Sequence, residues 1–281
     1  MIGFRAPKRQ SISLVLPARD AVGTLRLSVL SSLLALRRGD ELLLVVDQND
    51  ESTFRLAHDF SDPRVKVLVA PIGSSFADKL NLGVSYALHP LIGRMDADDV
   101  CLPWRFLKLS RNLEKKHVDF IFSTAIVFGR ALRPLPVLAQ LPIPLDDWGV
   151  KEQLCFTNPL VHPSVLMKRE AFESLYGYSE KSGEDLDLWL RGAVKGLRFH
   201  RIGTPTILYR YSKKSLSRST ETKKSVENDR LIKNLREKLR TNLGPHSHRR
   251  LSASGEANSH SKVGNLSWKA RLALLDLGLN S

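Results

Sequence analysis

Ile92-Gly-Arg-Met-Asp96-Ala-Asp98-Asp99-Val-Cys-Leu-Pro-Trp-Arg105 is the stretch on which the reading of this chain turns. A short apolar run, Leu91 to Met95, leads directly into three carboxylates within four residues. In an open α/β sheet, ligands bind beyond the carboxyl ends of the strands, where these acids would stand. Carboxylates this close repel one another. A hard divalent cation holding a diphosphate offsets that repulsion, with carboxylate oxygens on one side and phosphate oxygens on the other. The plainer alternative is that Asp98 or Asp99 caps the helix expected from Pro103 to Lys116, whose first turn suits Pro103. Capping needs one acid, not three.

Upstream of this stretch, strands and helices alternate. Ser13 to Pro17 and Leu42 to Asp47 are apolar runs of the buried-strand type, and Arg64 to Val69 alternates like a half-buried strand. Val22 to Leu36 has helical spacing, with Leu25, Val29, Leu33 and Leu36 on one face, and Ser75 to Leu88 reads as a second helix. Such alternation predicts an α/β sheet with helices on both faces. Downstream of Asp119 the order loosens. Strands are expected at Phe120 to Phe128, Val161 to Met167 and Leu197 to Ile202, helices near Arg169 to Tyr176 and Leu186 to Lys195, and a proline-rich loop from Pro134 to Pro144.

A second acidic motif lies at Gly183-Glu184-Asp185-Leu-Asp-Leu-Trp189-Leu-Arg191. Leu186, Leu190 and Val194 are spaced to bury one helical face, which leaves Glu184 and Asp185 at the amino-terminal mouth. Acids there stabilise the helix dipole by ~0.3–1 kcal/mol, and that alone accounts for them as well as chemistry does. A carboxylate so placed can also act as a general base toward a hydroxyl.

The 281 residues include 43 Lys+Arg and 29 Asp+Glu, a formal net charge of +14. Residues 1–212 hold 28 basic and 23 acidic side chains, whereas 213–281 hold 15 and 6. Two regions are expected: 1–212, a catalytic domain, and 213–281, a basic, partly helical extension with a Ser/Gly/Asn-rich linker. Leu231, Leu235 and Leu239 mark one helix of that extension, and Trp268, Leu272, Leu275 and Leu279 a second, within Leu266 to Leu279. Two cysteines, Cys101 and Cys155, exclude a disulfide-dense scaffold and a four-cysteine zinc site, and read as reduced thiols of a cytosolic protein. Met1 to Ser13 lacks the apolar core of a signal peptide, and runs such as Leu42 to Val46 fall far short of the ~20 residues that span a bilayer. Positive charge of this size suits nucleic acid or anionic lipid. No nucleic-acid-binding motif accompanies it, and such a protein would leave the carboxylates unexplained.

Taken in order, five motifs resemble those of the family 2 glycosyltransferases, over about residues 11 to 217. Ser13-Leu-Val-Leu-Pro17-Ala-Arg19-Asp20 is similar to that family's first strand and nucleotide-binding turn, and Leu43-Leu-Val-Val-Asp47-Gln48-Asn-Asp50-Glu-Ser-Thr53 to its second strand and base-binding loop. Ile92 to Arg105 resembles the D-x-D region. Asn158-Pro-Leu-Val-His162-Pro163-Ser164 and the Glu-Asp-x-x-x-Trp-x-Arg motif at Glu184 complete the set. The resemblance implies a GT-A fold: a Rossmann-like, mostly parallel sheet flanked by helices, here with a basic helical extension. It implies an inverting transfer from a nucleotide-sugar, foremost a UDP-sugar, to a glycan or lipid-linked acceptor in cell-envelope polysaccharide or glycolipid synthesis, with Mg²⁺ or Mn²⁺.

The same resemblance distributes roles. Asp185 is the expected base, and Asp98 the metal ligand, with Asp96 at ribose or metal and Asp99 in support. Pro17, Arg19, Asp47 and Gln48 line the nucleotide, and Lys79 reaches phosphate. His162, Glu184 and Trp189 face the acceptor. Two positions depart from the pattern: Gln48 stands where a second acid is usual, and Ser212 where a histidine often stands in Leu208-Tyr-Arg210-Tyr-Ser212-Lys-Lys-Ser215-Leu-Ser217. An amide oxygen still accepts a base N–H, and Lys213 and Lys214 can replace the lost charge. A glycosyltransferase-like protein without activity is the remaining alternative, and intact Asp96, Asp98 and Asp185 speak against it. The expected location is the cytoplasm, at the inner face of the membrane, with the basic extension on anionic lipid.

Overall fold

Strands β1 (Ile12–Ala18) and β2 (Glu41–Asp47) are buried at every residue, as strands covered by helices on both faces must be. They belong to a computed structural model that describes residues 9–129, 134–138, 142–179, 183–211, 226 and 229–244. The order along the chain continues with α1 (Leu25–Ala35), α2 (Glu51–His58), β3 (Val65–Ala70), α3 (Phe76–Ser85), β4 (Leu91–Arg94), β5 (Val100–Cys101) and α4 (Arg105–Lys116). Then follow β6 (Phe120–Phe128), β7 (Pro134–Leu138), α5 (Asp147–Leu154), a 3₁₀ turn (His162–Ser164), β8 (Leu166–Lys168), α6 (Arg169–Glu173), α7 (Glu184–Lys195) and β9 (Phe199–Arg210). A last helix, α8, spans Arg230–Leu243.

Among the described residues one nine-stranded sheet runs β3-β2-β1-β4-β8-β6-β9-β5, with β7 paired to β6. β1 pairs in parallel with both β2 and β4, so strand order reverses at β1. That reversal opens a crevice at the carboxyl ends of β1 and β4, the usual ligand position of such sheets. β8 is antiparallel to both β4 and β6, and β9 is parallel to β6. Six strands therefore share one direction, with β5, β7 and β8 opposed. The sheet is mixed by pairing and mostly parallel by direction.

Two apolar clusters flank it. One joins Leu25, Val29 and Leu33 of α1 with Phe106, Leu109 and Leu113 of α4 and Leu56 of α2. The other joins α3, α5, α6 and α7 around Trp189, Phe120 and Phe172, and also takes in Ile232 and Leu239 of α8.

Differences from the sequence-based expectation fall in the second half. The expected loop from Pro134 contains β7. The expected strand from Val161 to Met167 is broken by the His162–Ser164 turn, which holds Pro163 and leaves only three residues for β8. α2 and α5 are additional short helices, capped by the carboxylates of Asp50 and Asp146. On α8 the buried residues are Ile232 and Leu239, while Leu231 is 47% exposed. Leu231 is therefore not part of the packing face, which lies against α7 and α5. The second expected helix, Leu266 to Leu279, lies outside the described residues, as do Ser212, Lys213 and Lys214.

Candidate functional site

The three carboxylates stand where β4 ends. Ligand oxygens of Asp96, Asp98 and Asp99 lie within 4.8 Å of one another. α1 holds the loop that carries them: Ser28 Oγ donates to the Asp96 carbonyl at 2.7 Å, and Cys101 N donates to Ser31 Oγ at 3.0 Å. β9 closes the other side. Arg210 N donates to Asp99 Oδ1, and Arg210 Nε to the Asp98 carbonyl, each at 2.7 Å. Beneath the loop, fully buried Arg105 donates from Nη2 to the carbonyls of Arg94 (2.7 Å) and Val165 (3.3 Å), stapling β4 to the chain entering β8.

The charges here are unequal. Arg94, buried in β4, grips Asp96 through both of its terminal nitrogens, at 2.8 and 2.5 Å. Burial works against the Arg94 charge, yet Asp96, Tyr178 and Glu184 together hold its pKa above the usual value. Burial, and then Asp96, push Asp98 up to about 6. Burial, then Asp96 and Asp98, likewise hold Asp99 well above the usual carboxylate value. Its Oδ2 is buried without a hydrogen-bond partner. An orphaned carboxylate oxygen beside a second carboxylate of raised pKa fits the oxygen donor set of a hard divalent cation such as Mg²⁺ or Mn²⁺.

The second motif opens α7. Gly183 precedes the helix at φ +82°, and a Cβ there would meet Val226 Cγ2 at 2.8 Å, so only glycine fits. Asp185 Oδ2 accepts a bond from Asn158 Nδ2 at 2.8 Å, and Oδ1 one from Leu186 N at 2.8 Å. Asn158 Oδ1 in turn accepts from Leu160 N, so the carboxylate is held in a set orientation. Burial, then Asp185, raise the Glu184 carboxyl to about 7. His162 is pushed the other way, well below its usual value, by burial and then by Arg94. The neutral imidazole shares a 2.9 Å hydrogen bond between Nε2 and the Tyr178 hydroxyl, and its Nδ1 lies 3.7 Å from Glu184 Oε1. Phe76 links the two motifs, with the Arg94 guanidinium 5.3 Å from its ring centre on one side and the His162 ring edge-on at 6.5 Å.

Around β1 and β2 the expected nucleotide residues separate into rim and core. Arg19 and Gln48 are exposed at the strand ends, whereas Pro17 is buried within β1. The Asp50 carboxylate ties the two loops together by accepting from Asp20 N at 2.6 Å. Lys79 lies among the core residues: its Nζ is buried 2.8 Å from Asp47 Oδ1 and 2.9 Å from Oδ2, so its charge is paired with that carboxylate. Trp189 is wholly enclosed, edge-on to Phe120, Phe122 and His162, and so reaches the site only through the His162 ring.

Asp96, Asp98, Asp99, Glu184 and His162 are brought together around Arg94, and Asp96, Glu184, Asp185 and His162 around Tyr178. Sequence reasoning missed those two. An arginine inside the apolar run Leu91 to Met95, next to acids, was a readable signal for Arg94; nothing local marks Tyr178.

Comparison with known proteins agrees with this architecture. The family described as Glycosyl transferase family 2 matches residues 13–175, more than half of the chain. EpsE of Bacillus subtilis (strain 168) is 28% identical over 200 residues, covering 68% of this chain and 69% of EpsE. The O-antigen biosynthesis glycosyltransferase WbnJ of Escherichia coli is 30% identical over 190 residues, covering 64% of this chain and 71% of WbnJ. A crystal structure of S. aureus TarS superposes with a TM-score of 0.57 at 12% identity, over 71% of this chain and 60% of that one. That likeness is one of fold, the GT-A arrangement.

Proposed function

Because the chain belongs to glycosyl transferase family 2, we propose that it moves a sugar, with inversion, from a nucleotide-sugar to a hydroxyl of a glycan or lipid-linked acceptor. The observation that carries this reading is the cluster of Asp96, Asp98 and Asp99 at the β4 end, coupled through Arg94 to Glu184 at the mouth of α7. Asp98 and the free Oδ2 of Asp99, with Asp96 beside them, would hold Mg²⁺ or Mn²⁺. When bound, such a cation supplies positive charge to a departing diphosphate.

The protein's own groups do the rest. Asn158 and the Leu186 amide keep the Asp185 carboxylate aimed, so that it takes the proton of the attacking acceptor hydroxyl. Glu184, its carboxyl raised to about 7 and so about half protonated at neutrality, lessens the negative charge beside Asp185. Arg94 fixes Asp96 for the ribose side, while Arg19 and Gln48 at the rim meet the nucleotide, foremost a UDP-sugar. O-antigen biosynthesis, named for the relative WbnJ, supports a reaction in cell-envelope polysaccharide assembly. The proposed location is the cytoplasmic face of the membrane, with the basic extension adding attraction to anionic lipid. Among the described residues no helix is long and apolar enough to cross a membrane.

A panel of nucleotide-sugars tests this. One donor should release nucleoside diphosphate in the presence of Mg²⁺ or Mn²⁺, stop with chelator, and be turned over far more slowly by Asp98→Asn. Turnover by that variant at the wild-type rate in chelator would refute the assignment of the acidic cluster.

A further inference from the structure

The outer surface of the layer formed by α1, α2 and α4 has no part in the transfer chemistry. Residues 21–39 contain three arginines and no acid. α1 buries Leu25, Val29 and Leu33 against the sheet, yet its opposite side carries Leu27, Leu30 and Leu34, which are 36%, 55% and 76% exposed. Spacings of three and four residues put these leucines in one row along the helix. A surface helix ordinarily turns a polar face to water, and α1 does not. Arginines frame the row. Arg26 lies at its amino end, paired with Asp59 of α2 at 2.9 Å, and exposed Arg37 and Arg38 follow its carboxyl end.

α4 lies on the same side of the sheet, its Phe106, Leu109 and Leu113 sharing one cluster with the buried face of α1. Its outward residues Lys108, Arg111 and Lys115 are exposed, at helical spacing. Trp104 opens that row, 43% exposed, its Nε1 donating to the Pro205 carbonyl at 3.0 Å.

We propose that this surface docks on an anionic lipid bilayer, with the α1 leucines entering the boundary between headgroups and acyl chains. Three observations select that occupant. An apolar row with flanking cations is the pattern of a helix lying in a membrane interface, where lipid phosphates meet the arginines and lysines. A tryptophan pinned at the edge of such a surface suits the headgroup level. A second copy fits poorly, because two-fold pairing of α1 with itself would bring Arg26 toward Arg37 and Arg38 of the other copy. Docking here also bears on the site, since Ser28 of α1 holds the Asp96 carbonyl directly.

The test uses the full-length protein and sedimentation with vesicles of phosphatidylcholine alone or of equal parts phosphatidylcholine and phosphatidylglycerol. Wild type should sediment with the anionic vesicles only, less so as salt rises. The double variant Leu30→Gln with Leu34→Gln should lose roughly tenfold or more in partitioning, by removal of two inserting side chains. Arg37→Glu with Arg38→Glu should do the same. All four side chains are exposed, so the fold survives, which thermal melts and unchanged donor turnover in solution verify. These readouts keep the docking face separate from the transfer reaction: lost turnover with intact binding counts against the enzyme reading alone. Wild-type partitioning by the leucine variant, whose basic extension is intact, would assign binding to that extension and overturn the proposal. So would equal binding to neutral vesicles, or no binding at all. A wild-type dimer that the leucine variant converts to monomer would give the row to a second copy and likewise overturn it.

Discussion

Replacing Glu184 by Gln should remove a cost in stability that the native protein meets as pH rises through neutrality. Burial, and then Asp185, lift this carboxyl from 4.5 to about 7, and its side chain is only 21% exposed. Between those two values the unfolded chain has released the proton while the folded chain still holds it. The folded form then binds more protons, so stability falls as pH rises across that window. At 1.36 kcal/mol per pH unit, the full interval from 4.5 to about 7 amounts to about 3 kcal/mol. Gln keeps the shape and carries no charge at any pH. The variant should match wild type near pH 4.5 and exceed it by about 2–3 kcal/mol near pH 8. Urea unfolding at a series of pH values reads this directly, provided the slope with denaturant is unchanged. The difference between the two curves isolates Glu184 from every other titrating group. Parallel curves across the window would refute the assigned proton.

Asp185→Asn should bind donor nucleotide as wild type does while transfer falls by ~10²–10⁴-fold, the usual cost of a lost general base; donor affinity falling with the rate would make Asp185 a binding group. Lys79→Met should destabilise by about 1–3 kcal/mol, because it leaves the buried Asp47 carboxylate only the exposed Arg19, 3.4 Å away, as a charge partner, and adding Asp47→Asn should recover much of the loss; a single variant that melts like wild type would show the pair contributes nothing. Trp189→Ala should lose about 3–5 kcal/mol through the cavity it leaves, with acceptor KM unchanged where the fold survives. A raised KM at unchanged stability would return Trp189 to the acceptor surface.

The parallel half of the sheet was legible because β1 and β2 are buried on both sides and so read as unbroken apolar runs. The antiparallel half was not. β8 is three residues long and follows a proline turn, and α2 and α5 begin at aspartate caps inside polar sequence, where no apolar period marks them. Within the site, the carboxylates were readable because their chemistry sits in single contiguous stretches. Their partners were not: Lys79 meets Asp47 across 32 positions, and Tyr178 meets His162 only because the turn and α7 fold together. The enclosure of Trp189 was hidden for a related reason: one face of α7 belongs to the core and the other to the mouth, and motif order alone does not distinguish them.

The packing of α8 on α7 sets an order in time. α7 presents Asp185, and its outer side is completed by Ile232 and Leu239 of α8. Thirty-four residues, 196–229, separate the two helices along the chain. At the ~5–20 residues per second of synthesis, α7 waits roughly 2–10 s for its cover, which is complete only at Leu243. During that interval its apolar flank is open to chaperones and to neighbouring nascent chains. The carboxylate loop is also incomplete then, because Arg210 of β9, which donates to Asp99 and to the Asp98 carbonyl, is made only after α7. Nascent α7 and the acidic loop thus share one interval of incompleteness, the first waiting for α8 and the second for β9.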